Sequence, residues 1–142
     1  MTTHVAPQAK AWIQARESDA VYHKVIGYCP STHGFTLVEN DIIEMVKVPI
    51  GAIVTDVMLL TGALGASVTA DVGDGTTEDL YISAANVAAA SVTRMESTGL
   101  AGVPKQYTVA DTIDVKLEAA NPDEEIAFAL IVGYITGVDI TP

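Results

Sequence analysis

Short runs of β-branched and aromatic residues recur from Val21 almost to the end of the chain, each closed by turn-forming residues about eight to twelve positions later. VYHKVIGY (21–28) runs into Pro30-Ser31-Thr32-His33-Gly34, GFTLVE (34–39) into Asn40-Asp41, and IIEMVKV (42–48) into Pro49. No long segment carries the wide apolar stripe of a core-facing helix, so the strand–helix alternation of a parallel sheet does not fit. The clearest strand is DTIDVKLE (111–118), with Ile113, Val115 and Leu117 on one face and Asp114, Lys116 and Glu118 on the other. IAFALIVGYITGV (126–138) sets Phe128, Leu130, Val132 and Tyr134 against Ala127, Ala129, Ile131 and Gly133, a small-residue side that lets another sheet or subunit come close. IVTDVMLL (53–60) is largely apolar on both faces, which suits a central or covered strand.

About eight strands result, and the expected fold is an all-β, two-sheet antiparallel sandwich with jelly-roll-like topology. One exception is expected: the alanine-rich SAANVAAASVT (83–93) reads as a short helical connection crossing one end of the sandwich. Residues 1–20 read as an N-terminal arm or short helix, in which Trp12 and Ile13 are the only large apolar side chains of QAKAWIQARE (8–17). Residues 21–142 form the β-sandwich domain.

At 142 residues the chain can bury roughly two thirds of its unfolded surface without staples. Its 18 acidic and 7 basic residues, a formal charge of -11, would repel nucleic acid and anionic membranes, so neither is expected as a partner. The longest apolar stretches are interrupted or too short to span a bilayer, and no signal sequence is legible, which together predict a soluble protein. Cys29 is the lone cysteine and is expected to be a buried thiol. A mean hydropathy of +0.34 is high for so acidic a chain and predicts a homo-oligomer that covers the surplus apolar surface.

SVTADVGDGTTEDLYI (67–82) packs Asp71, Asp74, Glu78 and Asp79 around Gly73 and Gly75 and invites a calcium-loop reading. Spacing argues against it. Counting from Asp71 puts Gly73 and Gly75 at the third and fifth ligand positions and Ile82 at the twelfth, and counting from Asp74 puts Ala85 at the twelfth. The alternation of Ser67, Thr69 and Asp71 with Val68, Ala70 and Val72 predicts instead a strand with one wet face, a tight Gly-Asp-Gly-Thr turn and four solvated carboxylates.

Other chemistry is equally sparse. His4, His23 and His33 lack the spacing of a zinc site, and Cys29 precedes Pro30 with no activating helix terminus. There is no G-x-S-x-G, no phosphate loop, and too few aromatic residues to wall a sugar-cleaving cleft. Tyr22, Tyr28, Tyr81, Tyr107 and Tyr134 fall in or beside strand runs and are read as core or interface packing. No catalytic, cofactor-binding or metal-ligating residue is assigned, no cofactor is expected, and the chain is not expected to be an enzyme.

The stretches VKVPIGAIVTDVMLLTGALGASVTADVGDGTTEDLYISAANVAAAS (46–91) and YTVADTIDVKLEAANPDEEIAFALIVGYI (107–135) together resemble the small virion proteins of tailed bacteriophages. The shared layout is a strand ending in IVTDVMLL, a second ending in VGDG, an Ala-rich crossing, then TIDVKL and FALIVGYI strands. The resemblance implies a decoration, or cement, protein: a β-sandwich or jelly roll on the outer surface of the virion. Such proteins bind the major capsid protein, often as homotrimers, and clamp neighbouring capsid subunits. It also implies an alternative, a host-surface or carbohydrate-binding module of a head fibre or tail.

Overall fold

The structure is a computed structural model that describes residues 20–30, 36–95, 104–123 and 127–138. Eight strands appear in them: β1 (Val21–Cys29), β2 (Ile42–Val48), β3 (Ile53–Thr61), β4 (Thr69–Asp74), β5 (Ile82–Asn86), β6 (Ser91–Arg94), β7 (Asp111–Glu118) and β8 (Phe128–Thr136). Sheet A has the order β1-β8-β3-β6 and sheet B the order β2-β7-β4-β5, with every pairing antiparallel. The pairs β1–β8, β2–β7, β3–β6 and β4–β5 are nested, as if one long hairpin had been rolled up with successive rungs alternating between the sheets. This is the strand order of a jelly roll. Its innermost tip is the β4–β5 turn, the acidic stretch singled out in the sequence.

Period-two patterning sets the core. Ile113, Val115 and Leu117 point inward from β7 at 0%, 1% and 0% exposure, and Phe128, Leu130, Val132 and Tyr134 do so from β8. Between them lie Val57 and Leu59 of β3, Val46 and Val48 of β2, and Val72 of β4. Each large apolar side chain so buried contributes about 1.5–3 kcal/mol. The strand β3 lies between β8 and β6, as its two apolar faces predict.

The expected helical connection over 83–93 is absent; the segment supplies β5 and β6 instead. Alanine favours helix, but here Ile82, Ala85 and Val87 find core neighbours, and Leu60 and Thr61 offer a ladder to Val92 and Ser91, so tertiary pairing overrides propensity. Ser83 and Ala84 together oppose Asp71 in a β-bulge, with Ala84 at a φ of 49°. The described part of GFTLVE, residues 36–39, also differs from its strand-like appearance: Thr36 to Val38 join no ladder, Leu37 drops into the core, and a turn follows in which the Val38 amide donates to Asp41 Oδ2. Most of the expected N-terminal arm or helix, residues 1–19, lies outside the described residues. No helix among the described residues is long and apolar enough to cross a membrane.

Candidate functional site

At the hairpin tip, the expectation of four solvated carboxylates fails at two of them. Glu78 and Asp79 are exposed, but Asp74 is 1% and Asp71 8% exposed. Asp74 is the inward-facing end of β4, in line with Ala70 and Val72, so its carboxylate enters the end of the core. It arrives with partners. Oδ1 accepts the amides of Thr76 and Thr77, both at 2.9 Å, the local bonding that an Asp in a tight turn provides. Oδ2 accepts the Lys105 ammonium at 2.6 Å and the Tyr107 hydroxyl at 2.9 Å, and Tyr107 shares a 2.8 Å hydrogen bond with Tyr81. Burial raises the Asp74 carboxyl, but Lys105, the two amides and Tyr107 outweigh it and hold the group below the usual aspartate range. Burial also pushes the Tyr81 hydroxyl up to about 12 and the Tyr107 hydroxyl far above its ordinary value.

Asp74 therefore works as an internal knot tying the hairpin to the segment around Lys105 and Tyr107. All four of its inner contacts use the oxygens a metal would need. Gly73 is required beside it, because a Cβ there would overlap the Thr77 carbonyl and the Glu78 backbone. Asp71 points outward and its Oδ1 accepts the Ala84 amide at 2.6 Å, satisfying the donor that the bulge removes from the ladder. Burial, aided by Glu118 and Asp79, raises its carboxyl against that hydrogen bond. Among the described residues no three His, Cys, Asp or Glu side chains form a group that could hold a metal ion.

Residues weighed for chemistry occupy structural places. His23 stacks on Tyr134 with ring centroids 4.8 Å apart, and its Nε2 lies 3.1 Å from Thr136 Oγ1. Cys29 is buried in the core, which raises its thiol. His4, Trp12 and His33 lie outside the described residues. Tyr81, Tyr107 and Tyr134 are buried in the core, and Tyr22 and Tyr28 are exposed.

Those two tyrosines belong to a feature the sequence left half visible. The outer face of sheet A is apolar across all four strands: Tyr22, Ile26 and Tyr28 on β1, Ile131 and Ile135 on β8, Met58 and Leu60 on β3, and Val92 on β6. Tyr22, Ile26, Tyr28 and Val92 are 59%, 62%, 66% and 62% exposed. Strands about 4.8 Å apart with roughly 3.3 Å per residue make such a face on the order of 500 Å². That is near the upper end of what a soluble monomer leaves open. An open depression of about 520 Å³ lies at one end of it, between Tyr28, Leu60, Val92 and Ala129. Its charged residues are few: Lys24, and Arg94 3.6 Å from Asp56. The outer face of sheet B, by contrast, presents Glu44, Asp71, Asp114 and Glu118 around Lys116 and Lys47.

No protein-family model matches this sequence, and no curated protein does. Its fold is shared with chains of phage capsids. One, in the Cyanophage Pam1 capsid asymmetric unit, has a TM-score of 0.66 and 22% identity over 82% of this chain and 86% of its own. A chain in the capsid of Ralstonia phage GP4 has a TM-score of 0.67 and 19% identity, covering 84% and 86%. A third, in the acidic stable capsid structure of Helicobacter pylori bacteriophage KHP30, has a TM-score of 0.59 and 19% identity, covering 84% and 93%. At these identities the likeness establishes the fold.

Proposed function

We propose that this chain is a structural virion protein that binds the outside of a phage capsid and stabilises contacts between major capsid subunits. The observation that carries the reading is the uncovered apolar face of sheet A on an otherwise acidic molecule whose fold occurs in phage capsids. An apolar face of this size gains by being buried, and its low charge removes the desolvation penalty an acidic surface would carry. A homotrimer, the assembly the family resemblance implies, has to leave this face open to the capsid. Mixing purified protein with undecorated capsid shells tests the reading. Saturable binding at fixed stoichiometry with raised thermal resistance of the shell is expected, and Ile26→Glu with Val92→Glu should abolish it. No association at any ionic strength refutes it.

One observation favours the alternative of a host-surface or carbohydrate-binding module: Tyr28 stands exposed at the rim of the depression, near the Thr61 and Ser91 hydroxyls. Binding to an array of glycans that Tyr28→Ala abolishes, with shell binding absent, would select that reading over the first.

A further inference from the structure

One carboxylate on the outer face of sheet B is buried without being satisfied. Asp114 sits in mid-β7, opposite Glu44 of β2 and Gly73 of β4, at 8% exposure, and its Oδ1 has no hydrogen-bond partner. A small, partly open cavity of about 40 Å³ adjoins it, lined by Ile42, Asp74, Gly75, Glu78, Asp114 and Lys116. That is room for about one water molecule. The cover is the tip of the hairpin: Thr77 and Glu78 lie so close over Gly73 that no side chain fits between them and the sheet.

The groups facing Asp114 are mostly acids. Glu44 faces it from β2 and Glu78 from the covering turn, while Asp111 of β7 and Asp74 of β4, whose side chains belong to the inner side, act on it through their charge. Lys116 is the cation of the cavity, yet its ammonium lies 2.6 Å from Glu78 and 2.8 Å from Glu118, so its charge is already shared between two other carboxylates. Lys47 pairs across the ladder with Thr112, two residues from Asp114. Burial raises the Asp114 carboxyl most; the Thr112 hydroxyl works the other way, and Glu44, Asp111 and Asp74 add to the rise. A buried carboxylate oxygen with no protein donor is costly to keep ionised, and one water in the cavity offsets only part of that cost, whereas a neutral carboxyl among acceptors has a proton to donate.

We propose that Asp114 is a proton-operated latch for the β4–β5 turn: the turn is seated on sheet B while the carboxyl is neutral and loosens when it ionises. This stands apart from the proposed capsid role and needs only the isolated protein. A group raised in the folded state contributes fully below the ordinary aspartate value of 3.8, and that contribution is lost as pH climbs from there through the folded value.

The test is amide hydrogen exchange across residues 74–81 from pH 4 to pH 8, corrected for intrinsic exchange chemistry, in the wild type, Asp114→Asn and Asp71→Asn. The Asn side chain cannot ionise and keeps an N–H donor in the same place. At pH 8 Asp114→Asn should protect the turn several-fold more than the wild type, the difference vanishing toward pH 4, while Asp71→Asn keeps the wild-type pH profile. Equal protection in wild type and Asp114→Asn at every pH overturns the proposal, as does a profile abolished by Asp71→Asn. Side-chain carbonyl NMR of Asp114 in the wild type gives an answer that needs no variant. A midpoint above 3.8 shared with the turn amides supports the latch, and one at or below it refutes the latch.

Discussion

Replacing Asp74 with alanine removes one carboxylate and strands four donors. The Thr76 and Thr77 amides lie in an exposed turn and can turn to water, so their loss is small. The Tyr107 hydroxyl is buried and keeps only Tyr81 as a partner. Lys105 is the larger question: its side chain is 31% exposed, and the carboxylate it bonds is 0% exposed. Truncating one member of a fully buried ion pair costs about 3–5 kcal/mol. Because the ammonium can reach water, we take the lower end, about 3 kcal/mol, within which the lost neutral hydrogen bonds are included. For a chain of this length that corresponds to a fall in Tm of roughly 10 °C. Asp74→Asn keeps an oxygen for the amides but loses the charge, and should fall between alanine and wild type. Thermal and urea denaturation of both variants, with exposed Asp79→Ala as reference, measures this. The pH dependence adds a second check: the Asp74 carboxyl is lowered by folding, so its contribution is present above pH 3.8 and disappears as pH falls through the folded value. If Asp74→Ala costs no more than Asp79→Ala near pH 7, the knot does not hold the hairpin and the reasoning is wrong.

Gly73→Ala should cost more than 3 kcal/mol or prevent folding, because the obstructing atoms are backbone and cannot rotate away; circular dichroism and a melting curve decide it. Tyr107→Phe leaves Tyr81 and Asp74 Oδ2 each short of one bond and should lower stability by about 1–2 kcal/mol in urea titrations. A thermal scan in millimolar calcium should match one in magnesium, since the inner oxygens of Asp74 are committed to protein donors; a calcium-specific rise of several degrees, lost in Glu78→Gln, refutes this. Mass photometry at micromolar concentration should report a mass of about three chains of 14.8 kDa, and a stable monomer defeats the oligomer reading.

Strand identity was legible in the chain because period-two alternation is a local property. Ile113, Val115 and Leu117 could turn inward only together, and the two apolar faces of β3 marked it as central before any neighbour was known. The Gly-Asp-Gly-Thr turn was legible too, since an Asp bonding the amides two and three residues on needs nothing from elsewhere. The alanine-rich segment was misread because alanine's helical preference is worth tenths of a kcal/mol per residue, less than the ladder and core contacts that decide its fate. Burial of the acidic residues was beyond local reading altogether. Asp74 meets Lys105 and Tyr107 across 31 and 33 residues, and Asp114 is covered by a turn that reaches it only because β4 pairs with β7. In a rolled hairpin almost every stabilising contact joins residues far apart in the chain, so patterning determines which side of a strand faces in. What each side meets, whether core, solvent, a covering turn or another protein, is decided by the order of the strands.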